Sequence, residues 1–198
     1  LHLCHHNLES IETNNYDSDN AKHNLLLEVC MAAKYEGDSI KNYYPEHHLT
    51  NPGTASQLCT VLARSFADIG DIVRGKDLFR GNNEEKKQRK KLQQNLKNIF
   101  GKIHKEVTSG KKGKTNGQAL QERYKDDKEN FFQLREDWWY ANRATVWKAL
   151  TCEAYGTYFR HTCGDVKSPT PTPNKCRCDD NPNTDPPTYF DYVPQFLR

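Results

Sequence analysis

SQLCTVLARSFADIGDIVRGKDLFRG, residues 56–81, is the stretch that decides the fold. Leu58, Val61, Leu62, Phe66, Ile69 and Val73 recur at steps of three and four and form one apolar stripe on a helix. Ser56 suits the N-cap, while Gly75 and then Gly81 offer places to stop. Arg64 with Asp68 and Asp71 with Arg74 stand at i,i+4 and i,i+3, each pair supporting the helix by about 0.3 kcal/mol. Cys59, one turn inside the start, can staple the helix to a distant segment. The spacing therefore predicts a core helix with a charged outer face.

On the N-terminal side, Asn24 to Tyr35 has helical spacing, with Gly37 as its stop. NYYPEHHLTNPGTAS (42–56) gathers Pro45, Pro52 and Gly53 and reads as a loop, which places a subdomain boundary at residue 55. On the C-terminal side, EEKKQRKKLQQNLKNIFGKIHKEV (84–107) is a second helix, its stripe formed by Leu92, Leu96, Ile99, Phe100, Ile103 and Val107. Glu84 and Glu85 suit its positive end and Lys102 and Lys105 its negative end. TSGKKGKTNG (108–117) is a basic loop.

Residues 118–160 form a third helical block. Leu120, Tyr124, Phe131, Leu134, Trp138, Ala141, Thr145, Ala149 and Cys152 track one face, thickened by Trp139, Arg143, Val146, Trp147 and Leu150. So aromatic a face belongs against other helices, as one or two long members of a bundle. Between Arg160 and Tyr189 lie six of the nine prolines, with Cys163, Cys176 and Cys178 among them. That composition predicts an irregular, cysteine-tied loop leading to a new element near Tyr189.

Only 35% of the 198 residues are hydrophobic and 28% are charged, with a mean hydropathy of -0.98. Such a chain folds through amphipathic helices or disulfides. Seven cysteines without a metal motif favour an oxidising compartment. The odd cysteine count, the single Met31 and the ending YVPQFLR read as an internal piece of a longer protein, with a cysteine partner outside it. No stretch approaches the ~20 apolar residues of a membrane span.

Residues 84–114 carry eleven Lys or Arg against three Glu, a net +8, whereas the whole chain is +3. One lobe is thus strongly basic. A solvated helix face is the plain reading; a polyanion site is the functional one, formed by Lys86, Lys87, Arg89, Lys90, Lys91, Lys97, Lys111, Lys112 and Lys114. Disulfide-type cysteine usage points to a sulfated glycan rather than nucleic acid. His2, Cys4, His5 and His6, or Cys176 with Cys178, lack the paired spacing of structural zinc. Asp68 and Asp71 each have an arginine in reach, as ion pairs do, and Cys59 has no basic partner that would make it a nucleophile. No phosphate loop, G-x-S-x-G or H-E-x-x-H occurs. Neither an enzyme, a metal nor a cofactor is expected.

ARSFADIGDIVRGKDLF (63–79), REDWWYANRATVWKALTC (135–152) and YFDYVPQFLR (189–198) resemble the blocks of Duffy-binding-like domains of malaria parasites, with AKYEG (33–37) and the LHLC opening in agreement. The details are similar to the alpha type of the Plasmodium falciparum erythrocyte membrane protein 1 family. The matching residues Arg64, Phe66, Asp68, Gly70, Asp71, Arg74, Gly75, Trp138, Trp139, Arg143 and Trp147 are scaffold in that pattern.

The resemblance implies a mostly α-helical fold in three subdomains. Residues 1–55 would end the first, 56–160 would form the central helix bundle, and 161–198 would begin a truncated third with disulfide-tied irregular loops. It implies a Cys59–Cys152 disulfide, with Cys163, Cys176 and Cys178 served by cysteines past Arg198. Cys4 pairs either with Cys30 or with a cysteine upstream. The implied function is an antigenically varying adhesin on the extracellular face of the infected erythrocyte membrane, anchored by a span outside this chain. Implied partners are host cell-surface receptors in rosetting and cytoadherence (heparan sulfate, blood-group sugars or receptor proteins) and host antibodies. The variable stretches 80–130 and 164–188 would meet them. The alternative is a beta-type or invasion-ligand domain that binds one specific host protein receptor.

Overall fold

The computed structural model describes residues 8, 20–50, 58–78, 81–109, 117–178 and 186–198, with side chains of the first helix described as far as Tyr43. In chain order they form α1 (Ala21–Thr50), α2 (Leu58–Arg74), α3 (Asn83–Thr108), α4 (Gly117–Tyr124), α5 (Phe132–Leu150), an antiparallel hairpin of β1 (Cys163–Asp165) and β2 (Ser168–Thr170), and 3-10 turns at Phe190–Tyr192 and Gln195–Leu197.

α2 forms where its stripe predicts, and Leu58, Leu62, Phe66, Ile69 and Val73 are buried while Val61 is half-buried. It ends at Gly75, whose φ of +73° is the left-handed geometry of a helix stop. Ser56 lies outside the described residues. α5 crosses α2, and its indoles fill the centre: the Phe66 ring lies 5.1 Å from Trp139 and 5.2 Å from Trp147. Trp138 meets Phe100 of α3 edge-on at 6.1 Å. These tilted and perpendicular contacts are the arrangements that aromatic quadrupoles favour.

α3 buries the predicted Leu92, Leu96, Ile99, Phe100 and Ile103. Its start carries a capping box that the acidic pair only hinted at: Glu85 N donates to Asn82 Oδ1 at 2.9 Å and Asn82 N to Glu85 Oε2 at 2.8 Å.

Three expectations are corrected. First, the helix predicted over 24–35 runs from Ala21 to Thr50, through Gly37 and through the segment read as a loop. Gly37 is a contact point rather than a stop, because a Cβ built on it would lie 1.9 Å from the Leu150 carbonyl oxygen. In an exposed helix Gly→Ala gains about 1 kcal/mol. Here overpacking of about 1–3 kcal/mol or more opposes that gain. Gly37→Ala is expected to be net destabilising, read as a lower urea midpoint; a midpoint equal to or above wild type would refute the close packing of α1 on α5.

Second, the face traced through the third block shifts; the block itself is two helices, one of the two readings its length allowed. Tyr124 Oη and Arg123 Nε and Nη2 donate to Asp137, at 2.8, 2.6 and 2.7 Å, tying α4 to α5. The core face of α5 runs through Leu134, Trp138, Trp139, Arg143, Val146, Trp147 and Leu150, whereas Ala141 and Thr145 are exposed.

Third, Cys59 is bonded to Cys176 and Cys163 to Cys178, while Cys152 and Cys30 are free thiols. The implied Cys59–Cys152 pair is therefore replaced, and Cys163, Cys176 and Cys178 find partners inside this chain. Cys152 sits just past α5 at the edge of the bundle, half-buried. The strap carrying Cys176 passes over α5 instead: Trp147 Nε1 donates to the Cys176 carbonyl at 3.3 Å. Cys4 lies outside the described residues.

Candidate functional site

The polar residues of the 63–79 and 135–152 blocks, on α2 and α5, converge on the C-terminal segment. Asp191 is buried; its carboxylate accepts from Arg143 Nε at 2.9 Å, Arg143 Nη2 at 2.5 Å and Trp139 Nε1 at 2.8 Å. Arg74 donates to the Asp191 carbonyl at 2.5 Å and to Asp71 at 2.9 Å. Arg198 meets Asp68 at 3.2 Å and also Asp71. Burial pushes the Asp68 carboxyl up to about 6 against the pull of Arg198, and it raises Asp71 likewise. The outer face predicted for α2 is thus largely an internal ionic joint, with Arg64 left exposed. Gly70 packs on Trp139, where an added Cβ would come within 2.8 Å of the indole. The carboxylates of this joint are paired with its guanidinium groups, which tie the C-terminal segment to α2 and α5.

The basic helix α3 presents a different situation. Lys86, Lys87, Lys90 and Lys91 are exposed and Lys97 is half-buried. Lys87 pairs with Glu84 at 2.8 Å on the surface, a pair of little consequence. Arg89 does not belong with them: it is buried and ion-paired with Asp77 at 3.0 Å, pinning the α2–α3 connection to α3. Lys111, Lys112 and Lys114 lie outside the described residues.

Two depressions run along one face of α3. One, of about 490 Å3, is lined by Lys97, Gly101, Lys102, His104, Lys105, Lys128, Glu129 and Phe131, among others. The second, of about 280 Å3, is lined by Gly75, Lys90, Gln93, Gln94, Lys97, Asn130, Phe132 and Arg135. Lys97 lines both, so the two adjoin at that residue and together make a basic groove between α3 and the start of α5. Its far wall depends on an unusual helix start. Phe131 adopts a left-handed φ of 55°, its ring lies 5.3 Å from His104, and Asp127 caps α5 by accepting from Leu134 N at 2.8 Å.

The groove unites Lys90 and Lys97 of the predicted set and adds Lys102, Lys105, Lys128 and Arg135. Of the α3 members, Lys90 with Lys97 and Lys102 with Lys105 stand seven and three residues apart, near-helical spacings readable in sequence, whereas the five-residue step between the pairs is not. Lys128 and Arg135 come from another block and carry no such signal. A row of ammonium groups over an apolar floor can hold an extended anionic chain by ion pairing while a ring packs on Phe131.

The Duffy binding domain profile matches residues 1–198. Among solved structures, the NTS-DBL1(alpha-1) domain of Plasmodium falciparum membrane protein 1 from the varO strain is 41% identical, with a TM-score of 0.72 over 99% of this chain and 40% of that one. The double domain from the same strain, NTS-DBL1-alpha with CIDR-gamma, is also 41% identical, with a TM-score of 0.73 over 99% of this chain and 25% of that one. A DBL-beta domain of the same protein kind, IT4var13, solved bound to ICAM-1, is 33% identical with a TM-score of 0.68, over 99% and 40% of the two chains. The chain thus spans less than half the length of these solved chains, and no curated protein matches it. With its helical bundle, its disulfides and its arginine–aspartate joint, the chain belongs to the Duffy binding domain family and is of the alpha type found in Plasmodium falciparum membrane protein 1.

Proposed function

We propose that this chain is an adhesin module that binds host cell-surface receptors from the outer face of the infected erythrocyte, and that the α3 groove contacts sulfated glycan there. The observation that carries this reading is the alignment of Lys90, Lys97, Lys102 and Lys105 with Lys128 along one groove. Charge segregated to one face raises the local concentration of a polyanion and speeds its association. Rosetting through heparan sulfate or blood-group sugars, and variation under antibody pressure, belong to the same reading.

Immobilised heparin tests it. Wild type is expected to be retained and to elute earlier as salt rises, since each neutralised anion releases counterions. The triple variant Lys90→Gln, Lys97→Gln, Lys105→Gln should elute at markedly lower salt. Unchanged retention of that variant would sink the glycan site. Arg89 is left out because its loss would strand Asp77.

A second reading has its own support. The 33% identical DBL-beta relative is named for binding ICAM-1, so a protein receptor is the competing partner class. Salt-insensitive binding to one purified receptor protein, together with indifference to the lysine substitutions, would favour it.

A further inference from the structure

Arg135 sits on the floor of the smaller depression and is only 3% exposed. Its guanidinium is satisfied by neutral groups: Nε donates to the Val73 carbonyl at 2.6 Å, and Nη2 to the Ile72 carbonyl at 3.3 Å and to Gln93 Oε1 at 2.9 Å. Its planar face lies 5.4 Å from the Phe100 centroid. Among the described residues no carboxylate stands within ion-pair distance of it. The last carbonyls of α2 give it only the fractional negative charge of a helix end. Desolvation therefore lowers its pKa to about 10, the charge of Asp127 opposing the shift only in part. A buried cation without a counter-charge is costly.

The surroundings leave that cation open on one side. The missing side chain of Gly75 faces Nη1, which an added Cβ would approach to 2.9 Å. Lys90 and Lys97 stand on the rim, and Gln94 and Asn130 supply amides. Three cationic side chains with no acidic group in the lining converge on one hollow. We propose that this hollow is an oxyanion pocket that takes one tetrahedral anionic group, a sulfate or phosphate monoester, with Arg135 as its buried donor. It rests on the glycan reading above only for the source of that group. The forked donors of arginine suit two oxygens of such a group, and the lysines neutralise the rest. Joined through Lys97 to the larger depression, the pocket would seat one ester while the remainder of the ligand follows α3.

The test titrates inorganic sulfate and, separately, inorganic phosphate into the folded chain by isothermal calorimetry, with chloride at matched ionic strength as reference. Saturable binding of either oxyanion, absent with chloride, is expected. Lys90→Gln with Lys97→Gln should weaken it about tenfold, while Lys86→Gln with Lys91→Gln, equal in charge but outside the hollow, should leave it unchanged. Arg135→Gln should abolish it. Because that variant also frees two helix carbonyls and can fail to fold, the rim pair decides. Equal response to chloride, or equal loss in both lysine pairs, would overturn the pocket. Heparin retention separates the two ideas. Sulfate binding with heparin retention indifferent to the rim pair would keep the pocket and end the glycan reading. Lysine-dependent retention without saturable sulfate binding would do the reverse.

Discussion

Asp191→Ala is expected to lower stability by about 3–5 kcal/mol, the cost of stranding a buried charge. The residue lies in a 3-10 turn far from the bundle in sequence, and a tail aspartate would ordinarily be tolerant. Here its carboxylate is the shared acceptor for Arg143 and Trp139. Removing it leaves a buried guanidinium among the rings of Phe66, Tyr189 and Tyr192 and an indole N–H with no acceptor. For a chain of this size the loss corresponds to roughly 10 °C in Tm. The double variant Arg143→Met with Asp191→Leu should recover much of that stability, because a buried pair is worth little net against apolar replacements. Chemical denaturation of the three proteins checks both statements. A single variant within about 1 kcal/mol of wild type would mean that the tail does not dock on α5 as described.

Loss of the Cys59–Cys176 bond should be the other large effect. The bond closes a loop of 117 residues, for which the chain-entropy account gives roughly 4–5 kcal/mol. Cys59→Ala with Cys176→Ala removes the cross-link without leaving a thiol. The informative comparison is Cys152→Ala, which touches a free, half-buried cysteine and should cost less than about 1 kcal/mol. Were Cys59 paired with Cys152 instead, Cys152→Ala would be the costly change and Cys176→Ala the mild one. Peptide mapping of the unreduced protein gives the same answer directly, as a linked 59–176 fragment pair.

The extent of what could be read in advance follows from the range of the forces involved. The helix over 58–74 and the stripe on α3 were legible because helical burial obeys a local 3.6-residue period that a single segment displays. Gly75 as a stop was legible for the same reason. Gly37 misled because the same residue serves two purposes, ending a helix or admitting a neighbour's backbone, and only the position of Leu150 separates them. Arg89 looked identical to Lys90 in a run of cations, yet Asp77 claims it. In the groove, Lys90 and Lys97 were candidates from the charge run alone, whereas Lys102, Lys105, Lys128 and Arg135 joined it only through the packing of α3 beside the start of α5.

By itself, the sequence determined the helical class, the amphipathic faces of α2 and α3, the segregation of positive charge and the family, all of which are written in local periodicity, composition and contiguous motifs. The tertiary structure alone decided which cysteine Cys59 takes, that Asp71, Arg74 and Arg143 are internal, and that a buried Arg135 underlies the basic groove. Those outcomes depend on pairs separated by tens of residues. Desolvation and distance, rather than residue type, determine whether a charge becomes a structural tie or remains available to a ligand.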